Sequence, residues 1–440
     1  MNAQVLALLL RPSRGQAGIL ALPMVAFALV TALVLIVVGG AQAFWSWTDE
    51  TAGLYQALAA IALVLLLVPL AGLGGAAARL SARRRDERLS TLRLLGVSPR
   101  GVVGATVLES GLVAASGAIF GVLLYLASTP MVGLIPFRGE PLGWDAVRLP
   151  LWAVLTVTAV VIALAAVSAA VGLRQVVISP LGVRTRAVVP RAHWIRAVVA
   201  VAAILVAFGT VSLFPGTAGL VITIVVLAGV FAAALAVLNL IGPWVLKVRA
   251  TRALRRAERP DRLLAARLVL ESPKAAWRQV SGVAMASFMA VFAGSGVAML
   301  DSMGASGSGS EAYLGADVRT GLVITLVASF VMVGVSVGVN QAAGILDQRD
   351  LHRSLHFLGV PVETVDAART RAVMAPLLLT AVGSALCAAV LVFPLLGIAV
   401  IVAPLAILTI VSILAAGIGI VWLSTRVTRP LLSRSFAPIA

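Results

Sequence analysis

The sequence predicts an all-α polytopic membrane protein of about ten transmembrane helices with short extracytoplasmic loops. Of its 440 residues, 61% are hydrophobic and 12% are charged, and the mean hydropathy is +1.07. Soluble domains are about a quarter charged. Apolar runs of about 18 or more residues recur along the whole chain, and such runs are long enough to cross a hydrocarbon core of about 30 Å.

Ten spans follow from these runs. None of the eight tryptophans lies in the middle of a span, in agreement with the preference of this residue for the membrane–water interface. The predicted spans are 17–39, 54–78, 101–127, 149–173, 197–213, 218–243, 280–300, 320–342, 372–393 and 399–424.

The basic residues predict that both termini are cytoplasmic. With the N-terminus inside, 31 of the 34 lysines and arginines fall in cytoplasmic segments, and only Arg138, Arg148 and Arg319 fall outside. This asymmetry is the positive-inside pattern of membrane proteins. The net charge of +17 is therefore interpreted as loop charge at a membrane rather than as a nucleic-acid surface.

A parallel internal repeat is the next prediction. The segment 89–97, "LSTLRLLGV", aligns with 352–360, "HRSLHFLGV", and repeated modules of this kind are common in transporters. The repeat divides the chain into a four-span module (1–175), a two-span connector (176–246) and a second four-span module (247–440). An amphipathic elbow helix is expected to lead into the second module.

In each module a charged, amphipathic segment lies between the second and third spans. Leucines at helical spacing form one face and charged residues the other, and a glycine followed by a proline ends the helix. The residues that we expect to contact a partner are Arg84, Arg85, Glu87, Arg88, Leu92, Leu95 and Gly96 in the first copy, and Arg349, Asp350, Leu355, Leu358 and Gly359 in the second.

Two interpretations of these segments stay open. The bases could anchor span ends against anionic lipid, at about 1 kcal/mol for each residue near the surface. The second copy, "LDQRDLHRSLHFLGVPVETVD", is nearly charge-balanced, however. Because lipid attraction does not explain a balanced segment, the repeat favours a protein partner.

The segment "RRRDERLSTLRLLGVSPRGVVGATVLESGLVAASGAIFGVLL" resembles the FtsX-like (MacB-like) permeases of bacterial ABC transporters. The ten-span layout is similar to that of the bacitracin-export type permeases. The resemblance implies that a cytoplasmic ABC ATPase dimer binds the two charged helices and itself binds ATP, so that no cofactor is expected on this chain. Members of this family typically carry a large extracytoplasmic domain, whereas the equivalent loops here are only about 40–53 and 301–319, the latter Gly/Ser-rich and expected to be flexible.

The chain itself lacks the G-x-x-x-x-G-K-[ST] sequence that cradles phosphates. We therefore expect it not to be an enzyme. The expected partners are the ATPase dimer, membrane lipid and, as a further possibility, an extracytoplasmic protein or a sensor kinase. No nucleic-acid partner is expected.

Glu109 is the one charge that the span assignment leaves inside the membrane, where an ionised carboxylate is costly unless it is paired. It is interpreted either as a functional polar pivot or as a structural residue bonded to neighbours. Gly117 and Gly121 form a G-x-x-x-G pair that predicts close packing of this span on another helix. His352 and His356 have helical spacing, but no further ligand pattern accompanies them and no metal site is expected.

The sequence thus predicts a multi-pass protein of a bacterial cell membrane that works as an ABC permease subunit. Its expected role is to export or extract an amphiphile, such as a peptide antibiotic or a lipid. An alternative is a signalling or scaffold subunit that relays the state of the ATPase to an extracytoplasmic enzyme or a sensor kinase. An ion-coupled transporter is least favoured, because Glu109 is the only carboxylate within a predicted span.

Overall fold

A computed structural model describes residues 17–49, 51–83, 99–177, 220–304, 313–393 and 404–436. These residues form helices and one short β-hairpin. In chain order the elements are α1 (Ala17–Ala43), α2 (Ala52–Arg83), α3 (Pro99–Gly133), β1 (Pro136–Phe137), β2 (Glu140–Pro141), α4 (Trp144–Val147), α5 (Leu151–Val177), α6 (Leu220–Arg255), α7 (Pro260–Glu271), α8 (Pro273–Gly304), α9 (Leu314–Asp347), α10 (Arg349–Phe357), α11 (Val362–Leu391), α12 (Pro404–Val427) and α13 (Arg429–Phe436).

Seven helices of the described residues are long and apolar enough to cross a membrane, so the chain is an all-α polytopic membrane protein. Two of the other predicted spans lie in α2 and α5, where the described apolar stretches are shorter, Ala52–Leu66 and Leu151–Val167. The predicted fifth span, 197–213, lies outside the described residues. The ten-span layout therefore stays a prediction.

The chain divides into two compact units, and the first comprises residues 1–185 and 304–349. Its core lies between α1, α2 and α9, with contributions from α3 and α5. The buried residues at its centre are Ala26, Phe27, Val30, Leu66, Leu70, Leu73, Ala328 and Met332. This unit includes α9, which carries the eighth span and belongs to the second module in the sequence prediction. Compact units and repeated modules therefore differ in their bounds, and the modules remain a prediction.

Within the first unit α1 and α3 approach each other closely along a glycine face. A Cβ atom on Gly117 would lie 2.6 Å from the carbonyl oxygen of Met24, and one on Gly121 would lie 2.6 Å from that of Ala28. These distances leave no room for a side chain, so the close backbone approach requires glycine at both positions.

The second unit comprises residues 186–303 and 350–440. Phe288 of α8 is fully buried beside Ala234 of α6 and Ala388 of α11. Trp277, at the start of α8, packs against Gly242 and donates an indole hydrogen bond of 2.7 Å to Asn239 Oδ1. The pairing satisfies the polar end of a buried ring, as buried tryptophans usually require.

One predicted outer loop is shorter than expected. The segment 301–319 was expected to be a flexible connection, but α8 continues to Gly304 and α9 begins at Leu314. Asp317 and Arg319 are therefore helical residues, and Asp317 is buried.

The segment predicted to form an elbow helix is helical as α7, with Pro260 in its first turn, and its position on the membrane surface stays a prediction. Proline is favoured there because the first helical N–H groups have no partner within the helix. Its buried residues are Ala265, Ala266 and Val269, whereas Leu263 is exposed. Leu264 and Leu268 are half-buried, and the small side chains of Ala265 and Ala266 allow α7 to lie close to α6 and α11.

Candidate functional site

A tight hairpin after α3 places one arginine in an unusual conformation. Arg138 and Gly139 connect β1 and β2, and their φ angles are +57° and +82°. Positive φ at both central residues is the signature of a type I′ turn. Glycine adopts this conformation freely, but for arginine it costs about 1–2 kcal/mol. The surrounding contacts must offset this strain.

Asp317, in the first turn of α9, supplies the first of these contacts. The backbone N–H of Arg138 donates to both of its carboxylate oxygens, at 3.1 and 3.0 Å. The hydroxyl group of Tyr55 donates to Oδ2 at 2.6 Å. Tyr55 and Asp317 are each 4% exposed. Charge-assisted hydrogen bonds of this length, shielded from water, are among the stronger polar contacts in proteins.

The Arg138 side chain is held as tightly as its backbone. Its Nη2 donates to both carboxylate oxygens of Asp49, at 3.0 and 2.9 Å, and to Thr51 Oγ1 at 2.9 Å. The hydrogen bond from Thr51, together with Arg138, lowers the pKa of Asp49 below its usual value. The guanidinium carbon lies 3.7 Å from the centroid of the Trp47 ring, a cation–π geometry.

Aromatic rings complete this group of residues. Phe44 lies within 5.7 Å, centroid to centroid, of the rings of Trp47, Tyr55 and Phe137. Gly139 faces the ring of Tyr313, just before α9. We call the set Asp49, Thr51, Tyr55, Arg138 and Asp317 the Arg138 cluster. It joins the start of α2, the hairpin after α3 and the start of α9 within the first unit.

In the second unit, α10 ends in a glycine C-cap. Gly359 has a φ of +77°, its N–H donates to the carbonyl of His356 at 2.9 Å, and the N–H of Val360 donates to that of Leu355 at 3.0 Å. This is the Schellman pattern, in which a left-handed glycine satisfies the last helical carbonyls. Gly359 is the aligned counterpart of Gly96, for which the sequence predicted a left-handed cap.

The two sides of α10 differ in environment. His352 is buried, and burial, followed by the positive charge of Arg369 on α11, lowers its pKa to about 4. On the other side, Leu351 is 53% exposed, Phe357 87% and Leu358 77%. The exposed end of this short helix is therefore apolar and directly precedes the glycine cap.

The predicted contact residues are described only in part. Arg349 and Asp350 form the first turn of α10, Leu355 is half-buried, Leu358 is exposed and Gly359 caps the helix. The first copy lies in the segment 84–98, outside the described residues. It comprises Arg84, Arg85, Glu87, Arg88, Leu92, Leu95 and Gly96.

Glu109 is a half-buried residue of α3, it has an electrostatic or hydrogen-bonding partner, and its neighbour Ser110 is buried. The two histidines of α10 lie in different environments, since His352 is buried and His356 is exposed. Among the described residues no group of three or more potential metal ligands occurs.

The Arg138 cluster was not anticipated from the sequence. Its members were assigned to short outer connections and a span end, and Asp317 is 179 positions from Arg138. A weak signal was present, because Arg138 is one of only three basic residues on the predicted outer side. Neither residue type nor spacing reveals that a backbone N–H pairs with a distant carboxylate.

Comparisons with known proteins found no similar protein. No family model, no curated protein and no solved structure matches the chain.

Proposed function

We propose that this chain is the membrane-spanning permease subunit of an ABC transporter. In this proposal a separate cytoplasmic ATPase supplies the energy, and the chain passes the resulting motion outward to export or extract an amphiphilic substrate, such as a peptide antibiotic or a lipid. The chain lies in a bacterial cell membrane with both termini in the cytoplasm. The resemblance of the charged segments to FtsX-like permeases motivates the class of partner.

The observation that carries the proposal is the exposed apolar end of α10. Phe357 and Leu358 project from a charged helix outside the long apolar stretches, on the side predicted to be cytoplasmic. Large apolar groups exposed together at a defined position mark surfaces that another protein or a membrane covers, and the nearly balanced charge of this segment favours the protein. Their rigid placement by the Gly359 cap suits a contact that transmits force.

The buried side of α10 supports the same role. His352 is 2% exposed and faces the positive charge of Arg369 on α11. In the chain, α10 directly follows α9 and precedes α11, two of the long apolar helices. A displacement of α10 would thus act on α11, whereas a flexible loop would absorb it.

Copurification tests the proposal. Phe357→Asp with Leu358→Asp places carboxylates in the apolar contact, and we expect it to abolish copurification of an ATPase that carries a phosphate-binding loop. Ser354→Asp is the matched control, because Ser354 is exposed on the same helix and its replacement leaves the apolar end intact. Retention of the ATPase by the double variant would contradict the proposal.

A second candidate function is relay of the ATPase state to an extracytoplasmic enzyme or a sensor kinase. The Arg138 cluster favours it, since it ties three segments together at the predicted outer side and so provides a stiff surface for a partner. Deletion of the gene separates the two functions. If the deletion strain stays sensitive to amphiphilic peptides after the kinase response has been restored independently, the chain exports these peptides. If the deletion abolishes only the kinase response, the chain relays the state of the ATPase.

A further inference from the structure

A pocket of about 470 Å³ lies between α6, α7 and α11 in the second unit. Its floor is aliphatic and includes Leu246, Val269 and Leu379. A volume of several hundred cubic ångströms is within the range of small-molecule sites. We call it the elbow pocket, because α7 forms one wall.

Four arginines line the elbow pocket: Arg249, Arg256, Arg262 and Arg371. Arg371 forms an ion pair with Asp261. Within the described part of the chain, Arg249, Arg256 and Arg262 have no acidic partner, and the lining residues include no carboxylate. Three positive charges around an apolar floor attract a ligand that carries both an anionic group and an apolar part.

The position of the pocket along the helices identifies that ligand more closely. Trp244, an interfacial residue by type, precedes the pocket residues of α6 and is 38% exposed. Leu378, which lines the pocket, is 46% exposed within the apolar stretch of α11. In the predicted topology the arginines of α6 and α7 belong to the cytoplasmic segment that follows Trp244, whereas Leu378 belongs to a predicted span. This arrangement suits a ligand with a headgroup at the interface and an acyl chain in the membrane.

We propose that the elbow pocket binds an anionic phospholipid of the surrounding bilayer, with the phosphate between Arg249, Arg256 and Arg262. Basic pockets between transmembrane helices on the cytoplasmic side suit acidic headgroups. In the predicted orientation the pocket faces the cytoplasmic leaflet. The bound lipid fills the space beside α7 and holds this helix against α6 and α11.

Native mass spectrometry of the full-length protein tests this site. The protein is purified from membranes in mild detergent and mixed with phosphatidylglycerol and phosphatidylcholine of identical acyl chains. We expect one phosphatidylglycerol to be retained per chain in preference to phosphatidylcholine. Equal retention of both lipids would overturn the proposal, because it indicates nonspecific contact with the acyl chains.

Two matched variants distinguish lipid binding in the pocket from general attraction of the lipid by surface charge. Arg249→Gln/Arg256→Gln/Arg262→Gln removes the pocket charges. Arg252→Gln/Arg255→Gln/Arg259→Gln removes three charges from exposed arginines of the same segment that do not line the pocket. Since one arginine near an acidic lipid contributes about fivefold, we expect retention to fall by at least about tenfold in the first variant and by less than about twofold in the second. Equal losses in both variants would contradict the proposal.

Two further measurements distinguish the lipid from other occupants. Ala253→Trp fills the pocket from an exposed lining position without changing charge, and we expect it to reduce phosphatidylglycerol retention as strongly as the triple pocket variant. Unchanged retention in this variant would place the lipid elsewhere. Glycerol 3-phosphate has the same anionic group without acyl chains, and we expect that it does not displace the lipid. Displacement would assign the pocket to a free phosphate ester instead.

Discussion

The backbone N–H of Arg138 donates hydrogen bonds to both carboxylate oxygens of Asp317, 179 positions further along the chain. The bond fixes a strained hairpin residue to the first turn of α9. Tyr55 binds the same carboxylate from α2. One buried aspartate thus holds three segments of the first unit together.

Removal of this carboxylate should destabilise the first unit. Asp317→Ala leaves the Tyr55 hydroxyl and the Arg138 N–H without an acceptor, and each buried group that loses its partner costs about 1–3 kcal/mol. We expect a clear drop in the apparent Tm, measured by the tryptophan fluorescence of the protein in detergent. Glu140→Ala is the control, because Glu140 is an exposed carboxylate of the same hairpin. Similar Tm values for the two variants would show that Asp317 does not hold the segments together.

The contact between the hairpin and Tyr313 is tested by a pair of glycines. Gly139 and Gly143 both have positive φ, +82° and +86°. A Cβ atom on Gly139 would lie 2.8 Å from the Tyr313 ring, whereas one on Gly143 would meet no atom within 4 Å. We expect Gly143→Ala to cost only backbone strain, about 1–3 kcal/mol, and Gly139→Ala, which adds the clash with the ring, to lower the apparent Tm further. An equal decrease in the apparent Tm of both variants would argue against the contact with the Tyr313 ring.

The packing of α1 on α3 gives a second matched pair. Gly121→Ala places a methyl group 2.7 Å from Thr31 Cβ, so the two helices must separate. Gly111→Ala, on the same helix, meets nothing within 4 Å and should raise helix stability by up to about 1 kcal/mol. We expect thermal unfolding to show opposite shifts in apparent Tm. A neutral result for Gly121→Ala would contradict the close approach.

His352 predicts a pH dependence of stability around α10. Its pKa is lowered to about 4, from 6.5 for a free histidine. Between these two values the unfolded chain takes up a proton that the folded chain does not, so stability falls as the pH falls through this window. We expect limited proteolysis after α10 to be faster at about pH 5 than at about pH 7.5. The difference should shrink in His352→Gln but persist in His356→Gln, since His356 is exposed. A pH effect that is unchanged in His352→Gln would assign it to other groups.

Much of the helical architecture could be predicted from the sequence, because transmembrane helices need long apolar runs and glycine pairs at helical spacing mark close packing. The end of α10 could also be predicted, since Gly359 aligns with a glycine for which a left-handed cap was expected. These features depend on residues that are near one another in the chain.

The features that the sequence did not reveal depend on tertiary contacts. The pairing of Arg138 with Asp317 requires a positive φ at a non-glycine residue and an approach of segments far apart in the chain. The burial of α7 also depends on its neighbours. Its fully buried positions include Ala265 and Ala266, because close packing against two helices requires small side chains, which hydrophobicity alone does not indicate.

The claim that α10 is the contact for an external ATPase has a direct test. A photoreactive amino acid is placed at Phe357, which is 87% exposed, and irradiated in native membranes. We expect a crosslinked product with an ATPase that carries a G-x-x-x-x-G-K-[ST] loop, identified by mass spectrometry. The same probe at Trp152, 71% exposed near the start of α5, should give no such product. Crosslinks from position 357 to lipid alone would contradict the account.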